Sequence, residues 1–115
     1  MSLLVTAASF GGASVPAIQL STSQDVAYNA SSGTATQSAA FSDHCWLISV
    51  AVHVATGSGV RIAMGANPDA KAQTSKLLPG SGDWFFVVAP NWKLSVISDD
   101  ANTGTVNVTE AAMMG

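Results

Sequence analysis

Residues 44–54 read HCWLISVAVHV. Taken alternately, Trp46, Ile48, Val50, Val52 and Val54 fall on one side, and Cys45, Leu47, Ser49, Ala51 and His53 on the other. Successive side chains of a β-strand point to opposite faces, so this is the pattern of a strand with one strongly buried face. The spacing of three and four that a buried helical stripe requires is hard to find anywhere in the chain.

The same period of two recurs on both sides of this stretch. In GTVNVTE (104–110), Val106 and Val108 point inward while Thr105, Asn107 and Thr109 point outward. VRIAMG (60–65) groups Val60, Ile62 and Met64 against Arg61 and Ala63. DWFFVVA (83–89) is apolar on both faces, which predicts a central or covered strand. KLSVIS (93–98) is expected to pair with it across APNW (89–92), where Pro90 and Asn91 are turn formers. Weaker strands are expected in PAIQLST, DVAYNA and TQSAAFS. Turn signals separate these runs: ASSG at 30–33, TGSG at 56–59, PGSG at 79–82 and DDANTG at 99–104. Seven or eight short strands spaced in this way predict an all-β fold, an antiparallel β-sandwich or jelly-roll-like domain. Residues 16–115 form the domain, and 1–15 are expected to act as an N-terminal arm.

A chain of 115 residues is long enough for one core without disulfides. Charged residues make up 10% of it, against about 25% in an ordinary soluble domain, and Ser and Thr supply much of the polarity. With 48% hydrophobic residues and a net charge of only -3, the composition argues against disorder. Uncharged surface of this kind suits coverage by copies of itself or by a partner. Four Lys and Arg, unclustered, leave no nucleic-acid footprint. No apolar run approaches the roughly 18 residues that span a bilayer, and MSLLVTAASFGG lacks a basic n-region. One cysteine, Cys45, rules out an internal disulfide. The expected product is a soluble protein made in a cytoplasm.

Motifs that carry chemistry are weak. His44 and Cys45 are adjacent and point to opposite faces. Cys45 and His53 share a face but lie roughly 26 Å apart along a strand, whereas zinc ligands converge to about 2.0–2.3 Å from one ion. DDANTG echoes part of a calcium loop through Asp100, Asn102 and Gly104 but lacks the remainder, and Asp and Asn favour tight turns on their own account. The GSG triplets are not the nucleophile elbow, and no acidic pair stands out. No catalytic residue, cofactor or metal is therefore expected, and the chain is read as a non-enzyme. Trp46, Trp84 and Phe86 are expected in the core. Trp92, beside the turn, either folds back as a plug over one end of the sandwich or stands exposed as an anchor.

The succession RIAMGANPDA (61–70), LLPGSGDWFFVVAPNWKLSVIS (77–98) and GTVNVTE resembles small virion structural proteins of tailed bacteriophages and prophages. The likeness follows the order A-x-G-x-x-P, L-P, an aromatic-valine strand, P-x-x-K-L-x-V-I and V-T-E, and spans residues 35–110; the N-terminal third departs from it. The resemblance implies a head decoration or cement protein on the capsid surface, binding itself as a dimer or trimer and the major capsid protein. The alternative it leaves open is a sugar- or host-binding module of a fibre, using Trp92 and Tyr28. Loops on rigid scaffolds are where recognition is usually placed. The expected contact residues are therefore Asp69, Lys71 and Lys76 in the polar loop 67–82, Asn91 and Trp92 in the turn, and the arm.

Overall fold

The computed structural model describes residues 6–10, 13–16, 18–53, 59–72 and 74–113. Val54 and most of the TGSG signal lie outside these residues. Among the described residues every regular element is a strand. β1 (Thr6–Phe10) and β2 (Ala13–Pro16) form a two-stranded antiparallel hairpin of their own. β3 (Ile18–Tyr28), β4 (Thr36–Gln37), β5 (Leu47–Val52), β6 (Val60–Gly65), β7 (Lys76–Leu78), β8 (Gly82–Val87), β9 (Lys93–Ser98) and β10 (Gly104–Met113) follow. They make two antiparallel four-stranded sheets, β3-β10-β5-β8 and β4-β9-β6-β7. The domain is the β-sandwich that the alternation predicts.

The facing sides of the sheets build one core. The first sheet contributes Val26 and Tyr28, Val106 and Val108, and Ile48, Val50 and Val52; the second contributes Val60 and Ile62, Leu78, and Leu94 and Val96. Trp84, Phe86, Met64 and Trp92 pack against its rim. Trp92 thus takes the plug position. PAIQLST and DVAYNA merge into the single eleven-residue strand β3, while TQSAAFS yields only the two residues of β4. Among the described residues the only hairpin between consecutive sandwich strands is β6–β7, and the other connections pass between sheets.

Four expectations are corrected. β8 and β9 do not pair: β8 joins β5 in the first sheet, and β9 lies between β4 and β6 in the second. The APNW turn is real, with the Trp92 N–H donating to the Ala89 carbonyl and Asn91 at φ 64°, but it carries the chain across the sandwich. Its flanks are tied to the segment before β5, since Asn91 N–H donates to Ser42 and Phe41 N–H to Trp92. Those bonds hold the chain away from the hairpin path. DWFFVVA is accordingly an edge strand and not a central one, covered by the core on its Trp84 and Phe86 face.

The third correction concerns Trp46, which is 61% exposed, whereas Cys45 is buried at 2%. Cys45 N–H donates to the Ser42 carbonyl in a turn, and regular strand begins only at Leu47. The alternation of β5 therefore does not extend back through residues 45 and 46.

The segment 67–82 is also not a free polar loop. It contains β7, and its first half lies over the outer face of β9 with Pro68 and Ala70 buried. Ala70 N–H donates to Ser95 Oγ, and Gln37 Nε2 donates to the Pro68 carbonyl. This cover explains why Leu94 to Ser98 are buried on both sides of β9.

Candidate interaction edge

β8 has a neighbour on one side only. Its register with β5 sets Val87 opposite Leu47, Phe86 opposite Ile48, Phe85 opposite Ser49 and Trp84 opposite Val50. Ile48 and Val50 are core residues, so Trp84 and Phe86 face inward and Asp83, Phe85 and Val87 face solvent. Phe85 is 50% exposed and Val87 54% exposed. Trp46 lies at the end of the same ladder, because Val88 N–H donates to the Trp46 carbonyl at 2.9 Å, one step beyond the Leu47–Val87 pair. Of the four exposed large apolar side chains among the described residues, these are three; the fourth, Leu20, lies on β3 at the far edge of the sheet.

The bond from Val88 to Trp46 also fixes which backbone groups of β8 are spoken for. Opposed residues in an antiparallel pair alternate between exchanging both hydrogen bonds and exchanging none. Val88, Phe86, Trp84 and Gly82 therefore turn their N–H and C=O toward β5. Asp83, Phe85 and Val87 turn theirs to the open edge. The residues with exposed apolar side chains are thus the ones with unshared backbone groups.

The remaining edges are each blunted, which is how sheet proteins avoid unwanted pairing. β4 has two residues and β7 three, the latter carrying Lys76. β3 is long but polar, and Gln24 clasps the backbone of Ala39 through both its amide nitrogen and oxygen. β8 has six residues, with no proline or lysine among them.

Beside this edge, on the same outer face, lies an open depression of about 380 Å³ lined by Asp25, Ala51, His53, Asp83, Thr105 and Asn107. Asp25, Asn107, Ala51 and Asp83 form one row across the four strands. Asn107 Nδ2 donates to Asp25 Oδ1 at 3.0 Å and to Ser23 Oγ at 2.7 Å, which holds the amide flat on the sheet. No group of three or more metal-ligating side chains converges among the described residues.

The residues expected to make contacts occupy three separate places. Asp69 and Lys71 pair with one another at 2.5 Å on the cover of the second sheet. Lys76 lies on the β7 edge, and Asn91 and Trp92 lie in the turn between sheets. Tyr28 is 5% exposed and belongs to the core, so it offers no ring for stacking, and Trp92 is half-buried against the rim of the core. Asp100 is a turn residue: it accepts from Asn102 N–H at 2.8 Å and from Ser98 Oγ at 3.0 Å.

Cys45 is closed off from solvent. Its thiol donates to the Leu47 carbonyl and sits beside Glu110, whose carboxylate accepts from the N–H and hydroxyl of Ser42. Burial, and then the Glu110 charge, push the thiol above its usual range, so it stays protonated and inert. Neither a family model, nor a curated protein, nor a solved structure matches this chain.

Proposed function

We propose that this chain is a non-enzymatic structural protein of a virion, attaching to the repeated subunits of a capsid shell in the manner of a decoration or cement protein. The observation that carries the reading is the exposed apolar β8 edge of Phe85 and Val87, with exposed Trp46 at the end of the same ladder, on a sandwich whose other edges are blunted. The charge-poor composition and the resemblance of residues 35–110 to phage virion proteins support it. Attachment of this kind works by many shallow contacts repeated by symmetry, so that individually weak interfaces add. Co-sedimentation of the purified chain with empty shells of the virus that encodes it tests the reading. Saturable binding at a fixed ratio to the capsid subunit is expected; protein that stays in the supernatant at all concentrations overturns it.

A second reading, sugar binding, has one observation in its favour. The depression beside Phe85 presents two carboxylates, an amide and an imidazole on a flat sheet face. Such groups hydrogen-bond hydroxyls, and an adjacent ring can stack on a sugar face. A glycan array decides it: retention of one glycan class by the wild type and its loss in Asp83→Ala favours a fibre module.

A further inference from the structure

We propose that β8 pairs with β8 of a second copy about a twofold axis, joining the two outer sheets into one antiparallel eight-stranded sheet. The inference rests on the reading of the β8 edge as the surface of association and names its occupant. Three properties of the edge select a copy of the chain.

The first is backbone parity. Asp83, Phe85 and Val87 direct their free N–H and C=O groups outward, and only such positions can exchange hydrogen bonds with an added strand. A twofold axis relates residue i to residue j and j to i, so the antiparallel registers open to β8 are few.

The second is charge. A register setting Asp83 against Asp83 opposes like charges, and one setting Phe85 against Phe85 places each Asp83 against a Val87. Setting Phe85 opposite Val87 of the partner occurs twice by symmetry. It exchanges four backbone hydrogen bonds, opposes only apolar side chains and sends the two Asp83 carboxylates to opposite ends. Like charges directly across a ladder are destabilising, while aromatic and β-branched residues make favourable pairs. The axis then passes beside Phe86.

The third is area. Large aromatic side chains bury about 150–250 Å² each. The exposed parts of Phe85 and Val87 thus offer roughly 200 Å² per copy, and with two backbone edges the total is on the order of several hundred Å², the size of a weak, transient interface. The dimer should be reversible, with a dissociation constant on the order of micromolar.

Sedimentation of the full chain across a wide concentration range tests this, alongside Phe85→Lys, Val87→Lys and, as a control on the opposite edge, Leu20→Lys. Expected is a reversible rise to twice the 11.6 kDa chain mass. The rise should be lost in both β8 variants and kept in Leu20→Lys, with an unchanged far-ultraviolet spectrum and, at dilutions where the wild type is a monomer, an unchanged melting temperature in all three. Mixing Phe85→Cys with Val87→Cys under mild oxidation should cross-link far more than either alone, because hydrogen-bonded partners lie about 5.5 Å apart, within disulfide reach. A monomer throughout, a trimer, a dimer that survives Phe85→Lys, or equal cross-linking in all mixtures overturns the pairing. If the chain is monomeric and Phe85→Lys abolishes shell binding, the edge belongs to the shell: the pairing fails and the virion reading stands. If the chain is monomeric and Phe85→Lys binds shells as the wild type does, the pairing fails and the apolar edge does not carry shell attachment.

Discussion

Two glycines show how single residues hold this sandwich. Gly59 leads into β6 at φ 102°, a left-handed conformation, and a methyl group there would overlap the Leu78 carbonyl oxygen and come within 2.7 Å of the Gly80 nitrogen. Both obstacles are backbone, so nothing flexible can yield. Gly59→Ala should lower stability by about 3 kcal/mol, read from the urea midpoint at unchanged slope. Gly104 is closed in by the ring of Tyr28, whose hydroxyl would lie 2.5 Å from an added methyl group. Tyr28 in turn is held neutral well into alkali: burial first, then the Asp100 charge, raises its phenol above the ordinary value of 10.0. Cys45 is shifted in the same direction from 9.0. Both groups keep their protons in the folded chain over a range where the unfolded chain has lost them. Their contribution is therefore complete below about pH 9 and disappears as the pH climbs through the raised values. Denaturant midpoints should stay level through neutrality and fall above pH 9, and the fall should be shallower in Cys45→Ala/Tyr28→Phe than in the wild type. An equal fall in both would mean that other groups govern the alkaline limit.

At the scale of the element, the outer face of the second sheet depends on one ion pair. Arg61 on β6 donates from Nε to Asp99 Oδ1 at 2.6 Å and from Nη1 to the Ser75 carbonyl at 2.9 Å. It thereby ties β6 to the turn after β9 and to the chain leading into β7. The two side chains are 21% and 18% exposed, so solvent screens the pair only in part. Arg61→Met should destabilise by about 2 kcal/mol, and a double-mutant cycle with Asp99→Asn should return a clear coupling; additivity would show the contact to be idle. The sequence announced Arg61 as an outward residue of a strand, because period two is a local property of six residues. It did not announce Asp99 as its partner, because that contact depends on register between distant strands. The same limit explains β8. DWFFVVA is apolar on both faces, and such a run fits a central strand as well as an exposed edge. Only the pairing of β5 with both β10 and β8 decides between them. Trp46 departs from the pattern for a more local reason: after the turn at Asp43–His44, regular strand and its alternation begin only at Leu47. The contact residues expected in the loop stand out in the sequence by their charge. Of these, Asp69 and Lys71 satisfy each other, while the β8 edge exposes Phe85 and Val87.

At the scale of the molecule, the order of the strands sets how the chain can fold. β10 lies between β3 and β5, pairing from Gly104 to Met113 with Tyr28 back to Ile18 on one side and from Val106 to Ala111 with Val52 back to Leu47 on the other. The last strand of the sequence is thus an inner strand of the first sheet, and β3 has no neighbour in that sheet until β10 is present. Val106 and Val108, both fully buried, supply the centre of the core from this strand. The closure of some eighty residues precedes any reward from β3–β10 pairing, and topologies dominated by such distant contacts fold on the millisecond-to-second scale. Refolding from urea should therefore be slow for a chain of this length. A chain stopped after Thr103 should lack a cooperative thermal transition altogether, although it retains β5, β6, β8 and β9. Adding the missing residues 104–115 as a separate peptide should restore the transition, since the strand supplied in trans gives β3 and β5 the partner between them and completes the core with Val106 and Val108. A truncated chain that melts cooperatively on its own would show instead that the second sheet with β5 and β8 is the folding unit, and that β10 only completes it.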